Sequence, residues 1–69
     1  MGKKYYVNDN DQANGDHEVH TEDCKYLPLI ESKTYLGVFY SCSDAVAEAK
    51  KHYPQSNGCS YCCLACHTS

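Results

Sequence analysis

The stretch from Gly58 to His67 constrains this chain more than any other. It reads Gly-Cys-Ser-Tyr-Cys-Cys-Leu-Ala-Cys-His and carries four of the six cysteines. Cys59, Cys62, Cys63 and Cys66 form two abutting Cys-x-x-Cys pairs. Two intervening residues make a knuckle tight enough for both sulfurs to reach one tetrahedral metal ion. One pair is half of such a site, so the residues ahead of it must supply the rest.

At 69 residues the chain is expected to form one domain, residues 1–69. A core of that size rarely supplies more than about 3–5 kcal/mol, so a covalent or metal staple is expected as well. Six cysteines provide it either as three disulfides or as metal ligands, and the compartment decides between the two. The amino-terminal Met1-Gly2-Lys3-Lys4-Tyr5-Tyr6 leads into a polar, acidic stretch rather than an apolar run. That is the pattern of neither a secretory signal nor a membrane span. Tyr6 also breaks the N-myristoylation pattern. The expectation is a cytoplasmic chain without a membrane partner, with thiols kept reduced and available to metal. The net charge is -3, with six Lys and no Arg. DNA binders present a basic face, so this balance disfavours DNA as a partner.

Read in order, Lys3 to Asn8 holds Tyr5, Tyr6 and Val7 and predicts a strand. Residues 9–16 contain Asn14-Gly15 and predict a flexible turn-bearing loop. Its acidic residues lack the spacing and closing Glu of a calcium loop. His17-Glu18-Val19-His20 reads as a second strand, with a turn at 21–23 leading into Cys24. Pro28 disfavours helix at Leu27, so 25–33 reads as an irregular loop whose apolar residues cover the core. Thr34 to Tyr40 is the clearest strand. Ser41 and Asp44 outline a capping box. Behind them Ala45, Val46, Ala49 and Tyr53 share one helical face, and Pro54 stops the helix. Gln55 to Gly58 reads as a turn into the knuckle. The expected class is α+β: a small two- or three-stranded sheet with one helix and a C-terminal cysteine knuckle closing a zinc site. The metal-domain core would span 17–67.

His20-x-x-x-Cys24 is the natural second half of that site, because His and Cys are the preferred zinc ligands and a three-residue turn can aim both inward. The expected ligands are therefore His20, Cys24, Cys59 and Cys62, holding one Zn2+ per chain. Cys66 in place of His20 gives an all-cysteine alternative. Cys63, His67 and Cys42 are further candidates. Cys63-Leu64-Ala65-Cys66-His67 is also a literal c-type haem attachment motif. Cys42, at the helix start, reads as a reactive thiol, a further ligand or a small core residue. Among the seven tyrosines, Tyr26, Tyr35, Tyr40 and Tyr61 are candidates for an exposed patch that meets a partner.

Over roughly residues 17–66 the chain resembles a known family. His20-x-x-x-Cys24, Phe39-x-Ser41-x-x-Asp44-Ala45 and Cys59-x-x-Cys62 are similar to the corresponding motifs of the metal-binding domain of the Ada methylphosphotriester-repair protein and its small relatives. The resemblance implies a small α+β zinc domain with His20, Cys24, Cys59 and Cys62 as ligands. The segment from Lys51 to Asn57 is longer here than in that family, and Cys63, Cys66 and His67 are additions. The function expected is a binding or adaptor module for protein or nucleic acid with a structural zinc, rather than an enzyme. The competing class is a thiol-reactive protein, redox or alkyl-accepting, that uses a metal-bound or spare cysteine. Haem attachment and a disulfide-stapled mini-protein stand behind it.

Overall fold

A computed structural model describes residues 2–67. The chain runs through strands β1 (Lys3–Asn8), β2 (His17–Thr21) and β3 (Lys33–Phe39), helix α1 (Cys42–His52) and strand β4 (Ser56–Gly58). Two short 3-10 turns, Leu27–Leu29 and Leu64–Cys66, punctuate it. The four strands form one mixed sheet in the order β3-β1-β2-β4. This is the α+β architecture expected, with one strand more than the sequence suggested.

Strand β1 lies antiparallel to both neighbours, with Tyr6 opposite His20 and Val7 opposite Val19. Side chains alternate between the faces of a strand, so each position in β1 and β2 is assigned to one side. Tyr5, Val7 and Val19 lie on the face covered by α1, where they pack with Leu36, Ala45, Ala49 and Cys63. Tyr6 lies on the other face and packs against a second cluster of Cys24, Leu27 and Cys59. The sheet therefore separates a helix-covered core from a cysteine-rich layer.

Helix α1 forms where the capping signal placed it. The Ser41 hydroxyl accepts the Asp44 N–H at 3.3 Å, and Asp44 sits in the first turn where a negative charge is favoured. Lys50, Lys51 and His52 occupy the last turn. Ala45 and Ala49 are fully buried, and their small side chains bring the helix close onto the sheet.

Strand β4 lies where a turn was expected. It pairs in parallel with β2, His17 opposite Ser56 and Val19 opposite Gly58. Ser-Asn-Gly has no strand propensity of its own, so pairing with β2 and burial of Asn57 and Gly58 set its conformation. The ladder runs on past the strand, with Cys59 N–H donating to the Val19 carbonyl at 3.0 Å. The loop expected at 25–33 likewise contains the ordered turn Leu27–Leu29, with Pro28 in its first positions. Proline is tolerated there because those N–H groups have no partner inside the turn. No helix among the described residues is long and apolar enough to cross a membrane.

Candidate metal centre

Strand β2 delivers His20 onto the face away from α1. The turn that follows, closed by Cys24 N–H on the Thr21 carbonyl at 3.1 Å, returns Cys24 beside it. The β2–β4 pairing brings Cys59 alongside Val19, and Cys63 N–H to the Cys59 carbonyl at 2.9 Å closes the knuckle that presents Cys62. The result is one cluster of His20, Cys24, Cys59 and Cys62 whose ligand atoms all lie within 4.8 Å of one another. His20 Nδ1 is 3.5 Å from Cys24 Sγ and 3.9 Å from Cys62 Sγ. Bonds of roughly 2.0–2.3 Å to a tetrahedral zinc set the ligand atoms about 3.5–3.8 Å apart, so the two His20 separations are close to those such an ion requires. Three of the four residues are buried and Cys62 is half-buried.

The surroundings are arranged for sulfur that carries charge. Tyr61 N–H donates to Cys59 Sγ at 3.4 Å, and Thr21 N–H to Cys62 Sγ at 3.4 Å. The Tyr26 backbone N–H favours the ionised form of Cys24 in the same way. Without a cation these donors do not outweigh burial. Burial pushes Cys59 from 9.0 up to about 11, and it raises Cys24 as well. Cys62 is raised chiefly by its hydrogen bond with Cys63, and then by burial. Three apposed thiols that burial and hydrogen bonding keep protonated, ringed by N–H groups that prefer thiolate, are what a divalent cation would convert into a compact site of net charge -1.

The other ring nitrogen of His20 faces Glu18, with Nε2 3.5 Å from Oε1. A carboxylate there holds the proton on Nε2 and leaves the Nδ1 lone pair directed at the sulfurs. Glu18 is a candidate positioning residue that the sequence alone did not single out. Its signal is the Glu-x-His spacing on one strand, which puts both side chains on the same face.

The remaining candidates are placed elsewhere. Cys42 and Cys66 form a disulfide with a Cα–Cα distance of 6.3 Å, so Cys66 is not beside the cluster as a thiolate in place of His20. Among the described residues Cys24, Cys59, Cys62 and Cys63 are free, which is not a three-disulfide framework. Cys63 is buried on the helix side of the sheet, with its sulfur 3.8 Å from that of Cys62. Its hydrogen bond with Cys62 lowers its pKa from the ordinary thiol value. His67 Nδ1 lies 3.0 Å from the Gly58 carbonyl. The Cys-x-x-Cys-His motif thus has one cysteine buried and the other oxidised, against the free, accessible thiols that haem attachment requires. Of the four tyrosines, Tyr26 and Tyr61 meet edge-to-face at 5.6 Å under the Lys25 ammonium, Tyr35 packs on Tyr6, and Tyr40 is fully exposed.

Compared with protein-family models, with curated proteins and with solved structures, the chain matches none.

Proposed function

We propose that this protein is a cytoplasmic zinc-binding module of the Ada metal-binding type, holding one structural Zn2+ through His20, Cys24, Cys59 and Cys62. The observation that carries the reading is the convergence of those four ligand atoms within 4.8 Å, drawn from two segments 34 residues apart. A structural role follows from the ligand count. Four protein ligands fill a tetrahedron and leave no position for water or substrate. The ion would supply folding energy on the order of 10 kcal/mol, which a core this small lacks.

Its task in this reading is adaptor-like binding to a protein. The knuckle carries Tyr61 and Leu64 on its exterior, and Tyr26 and Leu29 are also exposed. Tyr26 and Tyr61, with Lys25 over both rings, form the amphipathic kind of surface that is enriched in protein interfaces. A net charge of -3 disfavours nucleic acid as the partner.

Elemental analysis of protein purified without chelator tests the reading. One zinc per chain, with loss of the native circular dichroism spectrum on chelation, is the expected result. A folded protein without bound metal would overturn it.

A further inference from the structure

Two cysteines outside the candidate centre, Cys42 and Cys66, are joined to each other, and the segment they hold is the knuckle itself. Cys42 is the first residue of α1, and Cys66 ends the 3-10 turn that follows Cys62. Between Cys66 and the centre the chain is tightly interlocked. Cys66 N–H donates to the Cys63 carbonyl at 2.9 Å, and Cys63 N–H donates to the Cys59 carbonyl at 2.9 Å. His67 lies against the Gly58 carbonyl. A Cβ on Gly58 would sit 2.8 Å from the Cys63 carbonyl oxygen and 2.9 Å from the Cys66 Cβ. The tail is therefore pressed on the residue that immediately precedes the ligand Cys59.

We propose that Cys42 and Cys66 are a redox-active pair whose disulfide latches the knuckle onto α1 and so sets how firmly the metal centre holds its ion. The proposal rests on the zinc reading for its effect on metal, and on the disulfide alone for its effect on the knuckle.

Two further observations support it. The first is that one oxidised pair coexists with four apposed free cysteines. In the reducing setting that the zinc reading implies, a disulfide is characteristically transient or redox-sensing. The second is access. Cys24, Cys59 and Cys63 are buried, whereas Cys42 and Cys66 are both part-exposed, as Cys62 is at the centre.

The reducing step is a thiol–disulfide exchange. One thiolate of a small dithiol attacks Cys66 Sγ, forming a mixed disulfide and expelling Cys42 as thiolate. Cys42 is the better leaving group because it sits at the positive end of an eleven-residue helix. The second thiolate of the reductant then closes its own disulfide and expels Cys66. Two electrons pass to the protein, and Cys42 and Cys66 each take up a proton. An oxidised dithiol reverses the sequence. With the latch open, the 64–67 segment keeps its turn hydrogen bonds and its contact with Gly58 but loses its covalent tie to α1, so the support behind Cys59 and Cys62 is weakened.

The test uses the zinc-loaded full chain, oxidised or treated with dithiothreitol, and a C42S/C66S double variant. Thiols are counted after denaturation in chelator. Zinc transfer to a chromogenic chelator and amide hydrogen exchange at Cys63 and Cys66 are followed in parallel. Reduction should raise the count from four to six, speed zinc transfer about tenfold and lower protection at both amides by a similar factor. The double variant should behave as the reduced protein under either condition. Equal transfer and equal protection in the two states would overturn the proposal, as would a disulfide that glutathione buffers never open. A chain without zinc would sink the zinc reading alone, since amide protection still reports on the latch.

Discussion

Glu18 and Gly58 show how much of the centre depends on residues that do not touch an ion. Glu18 faces the Nε2–H of His20 as an acceptor and so biases the orientation of the ring. Replacing it with Ala leaves the imidazole free to exchange tautomers and rotate, which typically costs about 10–100-fold in metal affinity. Competition titration with a calibrated zinc chelator measures this. Glu18→Gln, which keeps an acceptor at the same reach, should recover part of the loss. Gly58 acts by being absent of side chain. A methyl group there meets the Cys63 carbonyl at 2.8 Å and the Cβ atoms of Cys66 and Cys63 at 2.9 and 3.1 Å, all parts of a locked knuckle. Gly58→Ala should destabilise the fold by about 1–3 kcal/mol, the usual cost of overpacking, read as a lowered midpoint in urea. Its backbone φ is not positive, so the penalty arises from space and not from conformation.

At the scale of elements, β3 explains why part of the fold was legible and part was not. The run Thr-Tyr-Leu-Gly-Val-Phe-Tyr is plainly β-forming, yet its apolar residues do not alternate. The reason is a bulge. Tyr5 faces Gly37 while Tyr6 faces Tyr35, so Leu36 is an extra residue. Gly37 at φ 125 absorbs the shift, and Leu36 and Phe39 both reach the helix-side core. Gly37→Ala should therefore cost about 1–3 kcal/mol through backbone strain, with the loss read by thermal unfolding. Helix α1 was readable from Ser41 to Pro54 because cap, apolar face and stop are all local signals. Strand β4 was not, because Ser56, Asn57 and Gly58 take their conformation from β2, which is 39 positions away in register. The Cys42–Cys66 pair was equally silent, since partner choice among six cysteines is decided by tertiary proximity. The convergence of His20, Cys24, Cys59 and Cys62 was legible because the spacing within each pair is a local property of a turn and a knuckle.

For the whole molecule, metal, protons and stability are linked. Cys24, Cys59 and Cys62 all have pKa values raised in the metal-free fold. Coordination must then displace about three protons, one from each thiol, so apparent zinc affinity should climb by up to about a thousandfold per pH unit below the thiol range. Release into a weakly buffered solution containing a pH indicator counts them directly, and a value near zero would contradict thiolate ligation. The metal-free fold has the opposite dependence. A raised pKa means the fold favours the protonated thiol. That contribution of Cys59 is fully present below about pH 9 and is lost as pH rises toward about 11.

The parallel pairing of β2 with β4 also orders events in time. His20 and Cys24 lie on one side of a 34-residue span, and Cys59 and Cys62 lie on the other. An ion captured early by either half has only two protein ligands. Full coordination waits for β3 and α1 to form and for β4 to close beside β2. Closing so long a loop is a slow, entropically costly step, and the completed ligand set cannot speed an event it follows. In the zinc reading the ion's leverage would therefore fall on the way out: it would hold the finished chain against unfolding far more than it would guide the nascent chain in.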